Sequence, residues 1–287
     1  MCRMCDALGD GSIWYLNPKN YAHRLYRVRG EGEGLNEFRG GGAGATEKRN
    51  ERSGMLGIMD AAEARANGDM ERFNSIMKNV NEHGSRRPSS QVVPLQDAKT
   101  IMDIVQGPFG AMMCMCRERF RGEEETNLRE YSCMGIGTGM LKWERWPERY
   151  KGGVEFMSPS VAKEWLEYWN KRGYVITIMQ EGQNFIGGLC LCDYPSCGLI
   201  RARLDYGAEN ILVKAEYVAE IDYTRCTGCG ECVKGCQFGA LRYEVTKDKA
   251  NIDPFKCYGC GVCELKCSRK AIKMIKRSSV PALRNVW

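Results

Sequence analysis

Cys226-Thr227-Gly228-Cys229-Gly230-Glu231-Cys232-Val233-Lys234-Gly235-Cys236 and Cys257-Tyr258-Gly259-Cys260-Gly261-Val262-Cys263-Glu264-Leu265-Lys266-Cys267 decide the reading of this chain. Both follow the spacing C-x2-C-x2-C-x3-C, and they sit inside an internal repeat with an offset of 31 residues. Ile221-Asp222 matches Ile252-Asp253, Gly228 matches Gly259, and Ala240-Leu241 matches Ala271-Ile272. Each half reads as a short strand, a cysteine-rich loop, a short helix and a returning strand. Working outward from the two runs, this module is expected to occupy residues 214–287.

Four thiolates on so short a loop are placed to converge on one iron–sulfur cubane, and the glycines at 228, 230, 259 and 261 relieve the backbone and turn N–H groups toward sulfur. On these residues the C-terminal region resembles the bacterial-type dicluster 2[4Fe–4S] ferredoxins, over about a fifth of the chain. The resemblance implies a pseudo-symmetric (βαβ)2 fold, one-electron transfer as the activity, and two [4Fe–4S] clusters as cofactors. With this spacing the fourth cysteine of each run ligates the other cluster. Cluster I is therefore expected to take Cys226, Cys229, Cys232 and Cys267, and cluster II Cys257, Cys260, Cys263 and Cys236. One departure stands out: the proline that usually follows the fourth cysteine is Gln237 in one half and Ser268 in the other. No thiolate is lost by this, and an N–H is restored that can bond a cluster sulfur. Structural zinc is the competing reading of CxxC pairs, but two identical four-cysteine runs exceed what tetrahedral pairs require. The CxxxCxxC spacing of a radical SAM site is not present in either run.

Eight of the sixteen cysteines lie elsewhere. Cys2 and Cys5 form a CxxC, Cys114 and Cys116 a CxC, Cys133 stands alone, and Cys190, Cys192 and Cys197 form CxCx4C. Eight thiolates would supply one or two further Fe–S clusters. Zinc ligation and buried or redox-active thiols are the alternatives for the same residues. The middle six are expected in turns, near Gly107-Pro108, Gly135 and Gly187-Gly188. Such clustering, in a long chain without an apolar signal at its start, favours metal chemistry over a disulfide framework. It points to a reducing, anaerobic and cytoplasmic setting.

The fold class expected for the whole is α+β: the ferredoxin module, a mixed α/β region over 94–213, and a helical, polar preamble over 1–93. In the preamble, Asn17-Pro18 opens a helix through Tyr21, Ala22, Leu25 and Tyr26 to Gly30, and a glycine-rich loop follows. Phe73, Ile76, Met77 and Val80 mark a second helix closing at Gly84, and residues 85–90 read as a linker. In the middle region, Leu95 to Val105 is periodic as a helix, and Ser158-Pro159 opens another through Trp165 and Trp169 to Gly173. Residues 174–179 read as a strand. The two tryptophans, at i and i+4, belong to a core rather than to a cofactor platform. Gly135-Ile136-Gly137-Thr138-Gly139 lacks the spacing of a phosphate loop. With only His23 and His83, histidine-based catalysis has little to build on.

No apolar run approaches the roughly 20 residues of a membrane span. The formal net charge of +6 falls to about +2 once two clusters with four thiolates each are counted, so nucleic acid is not an expected partner. Lys266, Arg269, Lys270, Lys273, Lys276 and Arg277 run without an intervening acid, which suits docking to an acidic redox partner, a flavoprotein or a larger oxidoreductase complex. The chain thus reads as an electron carrier. The alternative is an oxidoreductase whose open-site cluster in 114–197 binds substrate and is fed by the ferredoxin module.

Overall fold

The computed structural model describes residues 3–9, 11–17, 20, 54–86, 90–105, 107–122, 125–137, 153–181 and 185–287. The helix expected after Pro18, the glycine-rich stretch, Cys2 and His23 lie outside the described residues. The first helix, α1, spans Arg3–Leu8 and is followed by a single turn at Trp14–Leu16. Two helices packed on each other come next, α2 (Gly54–Ala66) and α3 (Met70–Arg86). The second carries the expected stripe, with Phe73, Met77 and Val80 buried, and it runs two residues past Gly84.

Residues expected as a linker end in a strand, β1 (Ser90–Val92), which lies inside a seven-stranded sheet. The other strands of that sheet are β2 (Phe109–Met112), β3 (Cys133–Ile136), β4 (Val154–Met157), β5 (Val175–Glu181), β6 (Phe185–Cys192) and β7 (Leu212–Val213), in the order β4-β2-β3-β6-β5-β1-β7. All neighbours are antiparallel except β1 and β7. Three helices sit between the strands: α4 (Leu95–Ile104), α5 (Met115–Arg121) and α6 (Pro159–Lys171), with α4 packed on α6. Ser158 caps α6 by accepting from Val161 N, and Pro159 occupies its first turn. Ala162, Trp165, Leu166 and Trp169 then form its buried stripe, so both tryptophans are core. A further helix, α7 (Gly198–Asp205), packs on α2. The buried cluster built on this sheet extends from Met4 to Val262.

The C-terminal module follows as β8 (Tyr217–Ile221), α8 (Glu231–Lys234) and β9 (Leu241–Glu244), then β10 (Lys249–Ile252), α9 (Val262–Lys266) and β11 (Ile272–Lys276). β8 pairs with β11 and β9 with β10, both antiparallel, so the first strand of one repeat closes on the last strand of the other. Asp222 N donates to Ala271 O at 2.7 Å and Asp253 N to Ala240 O at 2.8 Å. These repeat-matched residues therefore tie each half to the other. The chain is mixed α and β, with a ferredoxin-like C-terminal domain. Among the described residues no helix is long and apolar enough to cross a membrane.

Candidate iron–sulfur centres

The two cysteine loops turn where side chains are least tolerated. Gly228 and Gly259 take φ of +71° and +73°, and a Cβ there would lie 2.3 Å from Asp248 O and 2.2 Å from Tyr217 O. Both the left-handed backbone and the close approach require glycine. The loops then aim their sulfurs into two cavities. One is lined by Cys226, Cys229, Cys232 and Cys267, the other by Cys236, Cys257, Cys260 and Cys263. The structure thus places each fourth cysteine with the run of the opposite half. Two backbone N–H groups already point at these sulfurs, Ala271 N to Cys267 Sγ at 3.2 Å and Ala219 N to Cys257 Sγ at 3.5 Å.

Four soft sulfur donors around each cavity fit a [4Fe–4S] cubane and suit neither hard cations nor haem. Without metal, burial holds the Cys232, Cys257, Cys260 and Cys263 thiols against ionisation. Burial, reinforced by Cys226, Cys229 and Cys267, pushes Cys232 up to about 11. Burial likewise pushes Cys260 up to about 12, and Cys263 is raised for the same reason. Loading a cluster must expel these protons, so assembly is coupled to pH and to folding.

The two cavities have different surroundings. In the first, Cys229 is exposed and Cys226 and Cys267 are half-buried. The second is pressed against the sheet domain, with Phe238, Tyr258 and Val262 in the main core. The Phe238 and Tyr258 rings stack at 4.0 Å between centroids. Beside it lies Arg277, 0% exposed. Its Nε donates to Ala215 O at 3.0 Å, and its Nη2 to Tyr217 O at 3.0 Å and Cys257 O at 2.8 Å. Nη1 has no hydrogen-bond partner among the described residues. A buried cation with an unused donor, held by the backbone of Cys257, suits a neighbouring anionic cluster. Lys214, lowered to about 8 by burial and by Arg277 and Arg203, donates to Phe255 O and adds to the positive surroundings.

The basic run therefore divides. Arg277 is an interior cation, Lys273 pairs with Glu220 at 2.9 Å, and Lys266 is half-buried against Gly173 and Gly235. Arg269, Lys270 and Lys276 are left on the surface.

Gln237, the residue in place of the family's proline, has a structural role that its sequence context does not reveal. Its Oε1 accepts from Tyr194 N at 2.8 Å and its Nε2 donates to Gly173 O at 2.6 Å. Cys236 is thereby pinned to the loop between β6 and α7. Gln237→Ala is expected to remove about 1–2 kcal/mol of docking free energy. Hydrogen exchange at the Tyr194 amide should then quicken by roughly 5–30-fold; unchanged exchange would show that the module is held by other contacts.

The six cysteines of the middle region do not lie in turns, though two of them are the residues that precede helices. Cys133 is on β3, Cys190 and Cys192 are on β6, Cys116 is in the first turn of α5, and Cys114 and Cys197 are the N-cap residues of α5 and α7. Of the nearby glycines, Gly135, Gly187 and Gly188 are strand residues: a Cβ on Gly188 would lie 2.4 Å from Met134 O of the neighbouring strand. β3 and β6 bring Cys133 and Cys190 into direct register, with their sulfurs 3.2 Å apart. Cys192 shares the face of Cys190 because strand side chains alternate. Each of the six thiols interacts with two others, and the contacts close into a ring: Cys114, Cys116, Cys197, Cys192, Cys190, Cys133 and back to Cys114. Five are buried and Cys114 is part-exposed. Cys116 and Cys133, donating S–H, and the adjacent Arg117 hold the Cys114 thiol well below its ordinary value. Cys5 is not in this ring; its buried thiol donates to Glu216 Oε1 at 3.0 Å.

Among the described residues no three His, Cys, Asp or Glu side chains have the spacing of ligands to a single ion. In the two ferredoxin quartets that suits a cluster, in which each thiolate takes its own iron; the ring thiols instead touch one another, with 3.2 Å between the Cys133 and Cys190 sulfurs.

The family model for a 4Fe-4S dicluster domain matches residues 225–272. The C-terminal region is thus a ferredoxin-type module that binds 4Fe–4S clusters, and the chain is an iron–sulfur protein with an electron-transfer role. No curated protein and no solved structure matches the chain.

Proposed function

We propose that this protein is a one-electron relay. Electrons are exchanged with a partner at cluster I and pass through cluster II to a redox centre in the 114–197 region. The observation that carries this reading is the asymmetry of the two cysteine quartets. The first reaches the surface at Cys229, and the second faces the sheet domain that holds the six remaining thiols. From Cys236 to Cys192 the path runs through Gln237, one hydrogen bond to Tyr194 N, and Asp193. When bound, the clusters supply the one-electron couples. The polypeptide's part is to space the thiolates, direct N–H groups at sulfur, and place cations beside cluster II. Burial of five of the six middle thiols supports a relay over an open site reached by substrate.

The partner is an acidic redox protein, a flavoprotein or a larger oxidoreductase, recognised through Arg269, Lys270 and Lys276. The rate of electron transfer from reduced protein to an oxidised flavoprotein should fall as salt rises, since the screening length shrinks from about 10 Å at 0.1 M to about 3 Å at 1 M. Lys270→Glu should slow the reaction several-fold at low salt and flatten its salt dependence. A rate indifferent to both changes would remove this surface from the docking site.

A further inference from the structure

We infer that Cys133 and Cys190 are a dithiol that converts to a disulfide across β3 and β6, and that this couple is the two-electron terminus of the chain's redox centres. The couple deepens the relay reading and rests on it for the route of the electrons, though not for the bond itself. Strand pairing sets the geometry. Leu191 N donates to Ser132 O at 2.7 Å. The next pair along, Cys133 and Cys190, therefore takes a non-hydrogen-bonded position, where facing Cα atoms are about 4.5 Å apart and side chains are closest. A disulfide spans Cα separations of about 4.4–6.8 Å, and the two sulfurs already stand 3.2 Å apart. Two rungs away Gly135 faces Gly188, and a Cβ on Gly188 would lie 2.4 Å from Met134 O. This stretch of the two strands thus carries no bulk that would part them. Cys190 and Cys192 share one face of β6, but two strand steps put about 6.8 Å between them, whereas bridged Cβ atoms are about 3.5–4.5 Å apart.

The backbone around the pair is clamped. Glu125 Oε2 accepts from Ser132 N at 3.2 Å and its Oε1 from Ser132 Oγ at 2.8 Å, which fixes the residue before Cys133. Arg117 joins that carboxylate, at 3.0 Å, to Asp193 Oδ1, at 3.2 Å, in the residue after Cys192. The bond is therefore made and broken by side-chain rotation. Reduction is balanced by two electrons and two protons: the S–S bond breaks, and Cys133 and Cys190 each regain an S–H. Two [4Fe–4S] clusters supply one electron each, so the module's two one-electron couples match the single two-electron couple of the pair. Oxidation returns two electrons to the oxidised clusters and releases two protons. Cys192, which meets the Cys190 thiol, completes the route from Gln237 by Tyr194 N and Asp193. Cys133 and Cys190 are only 7% and 6% exposed, which shields them from thiols in solution and leaves the protein as the path for electrons.

The test uses the full chain, loaded anaerobically with iron and sulfide and equilibrated over a range of potentials with one-electron mediators. Each sample is quenched in acid, unfolded, alkylated and mapped by mass spectrometry. At the oxidising end two of the sixteen cysteines should escape alkylation, and the peptides holding Cys133 and Cys190 should be joined. Both thiols should return together on reduction, with the slope of a two-electron step. Cys133→Ser and Cys190→Ser should each abolish the link, while Cys5→Ser, at a buried thiol outside the ring, should keep it. If a serine variant does not fold, the wild-type peptide map still identifies the joined pair. The relay is read separately, as the rate at which photoreduced flavin, a one-electron donor, frees the two thiols. Cys229→Ser, which removes a ligand of cluster I, should slow that release at least tenfold and leave the link itself unchanged. A link that opens at the wild-type rate in Cys229→Ser would overturn the relay reading and leave the dithiol standing. Full alkylation at every potential, a link between other ring cysteines, or zinc or iron bound at the ring beyond the roughly eight irons of two cubanes would overturn the dithiol.

Discussion

Cys229→Ser is expected to abolish cluster I and spare cluster II, and Cys263→Ala to do the reverse at a larger cost in stability. On the proposed ligand sets each cubane rests on four thiolates, and replacing one removes an iron ligand from a group that is otherwise complete. Cys229 is exposed on its loop, so the polypeptide around it should keep its packing. Cys263 lies in the smaller core with Val218, Ala219 and Ile272, and its cavity is walled by Phe238 and Tyr258 from the main core. Emptying that cavity weakens the seam between module and sheet as well as the module itself. Because burial holds the Cys260 and Cys263 thiols protonated without metal, cluster binding and folding are linked, and loss of the cluster should lower the melting temperature directly. In full-length protein each variant should lose about four irons. Reduced Cys229→Ser should give the EPR signal of one isolated cluster. Cys267→Ser should copy Cys229→Ser rather than Cys263→Ala, since its sulfur lines the first cavity. If Cys267→Ser instead emptied the second site, the crossed arrangement of the thiolates would be wrong.

The contrast between what could be read from the chain and what could not follows from sequence distance. The two four-cysteine runs are local: eleven residues, glycines among them, set the spacing of the sulfurs before any tertiary contact forms. Helix α6 was equally legible, because its cap, its first-turn proline and its tryptophan stripe are all local signals. The thiol ring is assembled by strand pairing between residues 57 apart, Cys133 and Cys190, and no local signal marks that register. The alternation Cys190-x-Cys192 was a strand signal in plain view. Gly187 and Gly188 drew it toward a turn, although glycine there answers to a close backbone approach. Ser90 was similarly drawn into a linker by its neighbours Arg87, Pro88 and Ser89, yet it pairs within the sheet. Gln237 stood out as a departure from the family, but its two partners, Tyr194 and Gly173, are 43 and 64 residues away. Arg277 looked like the end of a basic surface run; only the fold separates it from Lys276.

That buried arginine gives the most informative single substitution. Arg277→Met is expected to lower the reduction potential of cluster II and to destabilise the C-terminal module, while cluster I keeps its potential. Reduction adds a negative charge to an already anionic cluster, and a fixed cation nearby favours the reduced form. A unit charge about 8 Å away, at an effective dielectric near 20, is worth about 2 kcal/mol. That is on the order of 90 mV for one electron, at 59 mV per tenfold. The same guanidinium satisfies three main-chain carbonyls, those of Ala215, Tyr217 and Cys257. Methionine fills part of the volume but donates to none of them, and an unsatisfied buried acceptor costs about 1–3 kcal/mol. A net loss of about 3–5 kcal/mol is expected, relieved in part because a methionine no longer has to be desolvated as a charge. Arg277→Lys separates the two effects. It keeps the charge, and so most of the potential, but it loses the planar fork that serves three acceptors at once. Redox titration followed by EPR should therefore rank cluster II as wild type, then Lys, then Met in falling potential. Denaturant unfolding should place both variants well below wild type. Should Met leave the potential of cluster II unmoved while the protein stays folded, the guanidinium is a structural clasp for β8 and the Cys257 loop, and the electrostatics of the second cluster are set elsewhere.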